Sequence, residues 1–148
     1  MSITTGRINL DYLTAKHAQK VVSHESVEGM ENSVSKALGV LQEHGVYGSF
    51  LYLLAKEDNN GKILVTEMID LLHKAGFLYD EGKKPEKTKD ILDHIINTVS
   101  NASLQRLLFA RELIEQMFIY VRYGEKAKET SPSPSSEPSD APDAGAAT

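Results

Sequence analysis

From about residue 8 to residue 124, apolar residues recur at spacings of three and four, the period of a helix rather than the alternation of a strand. The first helix is predicted over about 9–23, with Leu10, Leu13, Ala18, Val21 and Val22 on one side. A second is predicted over about 26–44, with Val27, Met30, Val34, Ala37, Leu38 and Leu41 in register. Ser26 is placed to cap it, and Gly45 to stop it in the left-handed conformation. A third follows almost at once, about 47–57, on Tyr47, Phe50, Leu51 and Leu54. Asp58-Asn59-Asn60-Gly61 marks a turn, and a fourth helix, about 62–75 on Leu64, Met68, Leu71 and Leu72, ends at Gly76. Residues 77–85 read as a loop. The fifth helix covers about 86–99 on Ile91, Leu92, Ile95, Ile96 and Val99, and the sixth starts at Asn101 or Ser103 and runs to about 124. The expected fold is all-α, a compact bundle of about six helices with no sheet and no internal repeat.

The last helix departs from the amphipathic pattern. Leu104, Leu107, Leu108, Ile114, Met117, Phe118 and Val121 form one broad stripe, yet Phe109, Leu113, Ile119 and Tyr120 occupy the other side. A helix that is apolar all round is buried on both sides. The second cover is either the other five helices or another protein chain. Arg111 falls inside the stripe, one turn from Glu115, with which it can pair. Arg122 lies three turns beyond Arg111 on the same side, and Lys126 and Lys128 extend this basic strip. A shorter strip lies on the first helix, where Lys16 and Lys20 share a face, His17 sits beside them and Arg7 precedes the helix. If the two helices lie side by side, the strips together offer phosphate contacts that carry no sequence preference.

Composition changes the picture at one end. Residues 129–148 hold four acids, no bases and four of the five prolines, a tail expected to be disordered, against a helical domain over 1–128. The formal charge of −5 is therefore concentrated in the tail, and the domain, with 17 acids against 16 bases, is near neutral. Without cysteine the chain has no disulfide framework, which fits a reducing compartment. The first residues lack the apolar core of a signal peptide, and no apolar run approaches the ~20 residues of a membrane span. A soluble cytoplasmic protein is expected, with no membrane partner.

The sequence offers no catalytic constellation. It has no nucleophile elbow, P-loop or dinucleotide fingerprint. None of the five histidines is spaced i,i+3 or i,i+4 from another, and Asp90, Asp93 and His94 read as the wet face of the fifth helix rather than a metal site. The expectation is a non-enzyme with no metal and no cofactor.

Two stretches carry a resemblance. Residues 36–54, KALGVLQEHGVYGSFLYLL, join two helices through a tight glycine turn, and residues 110–116, ARELIEQ, lead into 120–123, YVRY. Over about residues 8–128 the chain resembles the small subunit of the type III-B CRISPR effector complex, the fifth Cmr protein. The acidic tail has no counterpart in that pattern. The resemblance implies a compact, non-catalytic, all-α subunit. Several copies would stack beside the other Cmr subunits in an antiviral ribonucleoprotein, along the duplex of guide RNA and target RNA. It also implies that Lys16, Lys20, Arg111, Arg122 and Lys126 are the RNA-binding positions.

The alternative is a helix-turn-helix DNA-binding regulator built on residues 47–78, with Ile63–Lys74 as recognition helix. That segment sets only Lys62 and Lys74 against Glu67 and Asp70, few groups for reading base edges.

Overall fold

The computed structural model describes residues 9–24, 28–56 and 58–130. Among these the fold is all-α, with five helices and no strand. Helix α1 is Leu10–Val22, α2 Met30–Lys56, α3 Asn59–Lys74, α4 Thr88–Ile95 and α5 Leu104–Thr130. Ser26, Val27 and the tail from 131 onward lie outside the described residues, as does Arg7.

The expected count of six differs from the observed five at a single residue. Gly45 lies inside α2 with φ 85° and ψ −170°. The positive φ was expected, but this ψ is far from the left-handed helical well, in a region open essentially to glycine. A straight helix would separate Ser33 from Lys56 by about 35 Å at ~1.5 Å per residue. Instead Asn60 Nδ2 donates to the Ser33 hydroxyl at 3.1 Å and to the Glu28 carbonyl at 2.9 Å. α2 therefore folds back sharply at Gly45. Both halves bury one face, Val34, Ala37, Leu38 and Leu41 before the bend and Val46, Phe50 and Leu53 after it.

α5 is the central stave. It packs against α1, α2 and α3, burying Ala110, Leu113, Ile114, Met117, Phe118 and Val121. Of the apolar residues on its second side, Leu113 is buried, whereas Phe109, Ile119 and Tyr120 are only partly covered by the chain. Along α1, Asp11 meets Gln116 and Tyr120, and Val22 meets Gly124, so the two helices run in the same direction. Their approach at Gly124 is close enough that a Cβ there would lie 2.8 Å from Val22 Cγ2. The first half of α2 runs opposite to α5, with Gln42 at Arg111 and Glu31 at Lys126.

Two expectations for α5 need correction. The helix continues to Thr130, six residues past the expected end and beyond the proposed boundary at 128. Leu104 and Leu108 are exposed rather than part of the buried stripe. Arg111 already sits opposite Gln42, so the preceding turns of α5 overhang the bend in α2 and find no cover there.

The connection after α3 is tied down by its own side chains. Tyr79 N–H donates to His73 Nδ1 at 3.0 Å, and the two rings stack with centroids 3.7 Å apart. The Tyr79 hydroxyl donates to Asp70, which Lys84 also reaches at 3.2 Å. Burial pushes the Asp70 carboxyl up, but the bonds from Tyr79 and Lys84 outweigh it and hold its pKa below the usual value. Burial and the same bond push the Tyr79 hydroxyl up. α4 then packs against α2 and continues as a π-helical turn, Ile96–Ser100, with Ile91, Ile95 and Val99 facing inward.

Candidate nucleic-acid interface

The charged face of α1 begins at its cap. Asn9 Oδ1 accepts from the Tyr12 backbone N–H at 3.0 Å and fixes the first turn. Lys16 follows one turn after Tyr12, its Nζ 5.6 Å from the ring centroid and 3.4 Å from the hydroxyl. Lys20, one turn further, is half-buried. Neither ammonium is ion-paired among the described residues. His17, expected beside them, is turned inward and fully buried, its Nδ1 2.8 Å from Glu67 of α3.

The cations of α5 are used differently. Three of them donate to backbone carbonyls at the ends of three other helical segments. Arg106 reaches the Gly76 carbonyl at 3.2 Å and lies over the Phe77 ring at 4.2 Å. Arg111 reaches the Gln42 carbonyl at 3.1 Å, just before the bend at Gly45. Lys128 reaches the carbonyl of Val22, the last residue of α1, at 2.9 Å. Helix C-termini leave carbonyls without intrahelical donors and carry partial negative charge, so a cation satisfies both at once. The expected pairing of Arg111 with Glu115 is replaced by this arrangement: Glu115 accepts instead from the Gln42 side-chain amide at 3.3 Å. Lys126 is ion-paired with Glu31 at 3.1 Å. Of the expected RNA-binding set, Arg111 and Lys126 thus have partners inside the chain. Arg122 is half-buried and has no hydrogen bond or ion pair among the described residues.

α1 and α5 do lie side by side, but their basic strips do not merge. α1 contacts the line Gln116–Tyr120–Gly124. At ~100° per residue Arg122 is about 160° around the helix from Tyr120, on the flank shared with α2. Lys16 and Lys20 face outward from the other flank. No family model, curated protein or solved structure matches the chain. The reading of the surface therefore rests on the side chains themselves.

Arg111→Ala is expected to lower unfolding free energy by about 1–2 kcal/mol, through loss of a charged hydrogen bond at a helix end. Urea unfolding with an unchanged denaturant slope checks it. A loss within the error of the measurement would show that the bond to Gln42 contributes nothing.

The remaining sequence candidates have clear places. Asp93 pairs with Lys89 at 2.9 Å, Asp90 is exposed and His94 is turned inward. Among the described residues, no group of three or more His, Asp or Glu is placed to hold a metal ion. No described helix is long and apolar enough to cross a membrane. α3, the recognition helix of the DNA-binding alternative, buries Leu64, Val65, Met68, Ile69, Leu71 and Leu72 and exposes only Asn59, Lys62, Thr66 and Lys74. A helix set this deeply presents little to a DNA groove.

Sequence reasoning missed Arg106 and Lys128 as caps. Gly76 signals a helix end that needs donors, but nothing local names a donor 30 residues away.

Proposed function

We propose that this chain is a non-catalytic, RNA-contacting small subunit of a type III-B CRISPR ribonucleoprotein in the cytoplasm. In this reading further copies stack with the other Cmr subunits along the guide–target duplex. The resemblance of residues 36–54 and 110–123 and the all-α fold support this reading. The observation that carries it is that Lys16, Lys20 and Arg122 are unpaired cations among the described residues. An unpaired cation meets a phosphate without first giving up a carboxylate. Arg111 and Lys126 act inside the chain and leave the contact set.

A near-neutral domain that offers RNA only the contacts of Lys16, Lys20 and Arg122 binds it weakly by itself, and stacked copies repeat the contact along one duplex. Lys16 and Lys20 on one flank and Arg122 on another would then touch different stretches of backbone.

The test is charge removal in the full chain, assembled with its partners. Lys16→Ala with Lys20→Ala is expected to weaken target RNA binding and to make its logarithmic salt dependence shallower by about one to two units. Target sequence should not matter. Arg122→Ala should add to the double variant independently, because the sites are far apart. Normal assembly with unchanged affinity and salt slope in the double lysine variant would remove α1 from the RNA path.

A further inference from the structure

A recess of about 360 Å³ lies between α4 with its π-helical turn and the connection that follows α3. Its volume is in the range of small-ligand sites. Asp93, His94, Asn97 and Thr98 line one wall, Leu78, Tyr79, Asp80, Lys83 and Pro85 the other. The π-helical turn shapes the first wall, and the Thr98 hydroxyl folds back to donate to the His94 carbonyl at 2.7 Å. His94 is the unusual member. It is only 8% exposed, it meets Tyr79 with ring centroids 6.1 Å apart, and neither ring nitrogen has a hydrogen bond among the described residues. The ring nitrogens are not among the fully buried atoms, so they are open to solvent and free to meet a ligand atom.

The lining specifies the ligand. Burial pushes the His94 pKa down, against the pull of Asp80, so near neutral pH the ring offers one N–H and one lone pair. Asn97 likewise presents donors and an acceptor. Asp80 and Asp93 only accept, which disfavours an anion. Lys83 in the lining and Lys89 on Asp93 disfavour a bare cation. Leu78, 62% exposed, and Pro85 give flat apolar surface beside these groups. A neutral planar heterocycle with both donors and acceptors fits this set. Two carboxylates further select a heterocycle with an amino group on its edge, as cytosine has. Uracil would turn a carbonyl oxygen towards them.

We propose that this recess binds an unpaired nucleobase bearing an exocyclic amino group, with cytosine the smallest natural fit. The site is separate from the phosphate-contacting lysines and stands whether or not the chain belongs to a CRISPR complex.

The experiment follows the His94 ring by NMR in the full-length protein labelled at histidine. Cytidine is expected to shift the His94 signals saturably while those of exposed His24 and His44 stay in place. Uridine, of the same size, should bind roughly tenfold more weakly. Asp80→Asn with Asp93→Asn, both at exposed positions, should narrow that preference without unfolding the protein. A short single-stranded oligocytidylate tighter than the nucleoside identifies a nucleic-acid strand as the source. Cytidine monophosphate as tight as the oligomer identifies a free nucleotide. No saturable shift up to the solubility of cytidine, equal binding of cytidine and uridine, or arginine binding as tightly as cytidine would each overturn the proposal.

Discussion

Gly45→Ala is expected to destabilise the protein by about 1–3 kcal/mol, while D-alanine at the same position leaves it as stable or more so. The bend at Gly45 has φ 85° and ψ −170°. An L side chain is strained there whatever the space around it, and the space is open, since no atom lies within 4 Å of a Cβ built at this position. The cost is therefore backbone strain and not a clash. A D residue has the mirror-image preference, so the same angles fall in its broad extended region. It would also restrict the unfolded chain more than glycine does. The two alanines thus separate strain from packing. Urea unfolding of the L variant and of a semisynthetic D variant checks this, and equal midpoints would refute the strain argument. The L variant should also loosen the contacts of Arg111 and Glu115 with Gln42, because any relief of strain turns the end of the first half of α2.

Much of this bend was legible in the chain itself. Gly45 between two apolar-periodic segments announces a break, and the register of Leu38, Leu41 and Phe50 says which faces turn inward, but Leu51, expected on the inner face, is exposed and Leu53 is buried instead. Helix type followed from period alone, and Gly76 marked the end of α3, where its φ is 110°. What failed to show was anything set by contacts distant in sequence. The strip on α5 looked like a uniform basic edge, because periodicity fixes which side of its own helix a residue takes and not what lies opposite. Arg111 and Lys128 face the carbonyl ends of the first half of α2 and of α1, whereas Arg122 does not. Only the packing of three helices on α5 sorts them. His17 shows the same limit within one turn. Next to Lys16 in sequence, it is 100° further around α1, enough to move it from the wet face into the contact with α3.

His17→Ala is expected to cost about 3 kcal/mol, the penalty for leaving a mostly buried charge without its partner. His17 is fully buried, and the side chain of Glu67 is 13% exposed. Nδ1–H donates to the Glu67 carboxylate across 2.8 Å, joining α1 to α3 in the interior. Removing the imidazole leaves the carboxylate poorly hydrated beside a new cavity. Glu67→Gln should be milder, at about 1 kcal/mol, because an amide oxygen still accepts the bond. The double variant His17→Leu with Glu67→Leu should recover most of the loss of the single histidine variant. The pair is not well satisfied to begin with, for His17 Nε2 is buried with no hydrogen-bond partner. Apolar side chains of similar volume replace such pairs at little cost or with a gain. A cycle of His17→Leu, Glu67→Leu and the two together should therefore show a coupling energy of about 2 kcal/mol between the two positions. Single losses that simply add would mean that the bridge holds nothing and that the packing of Thr14, Ala18 and Val21 alone secures α1.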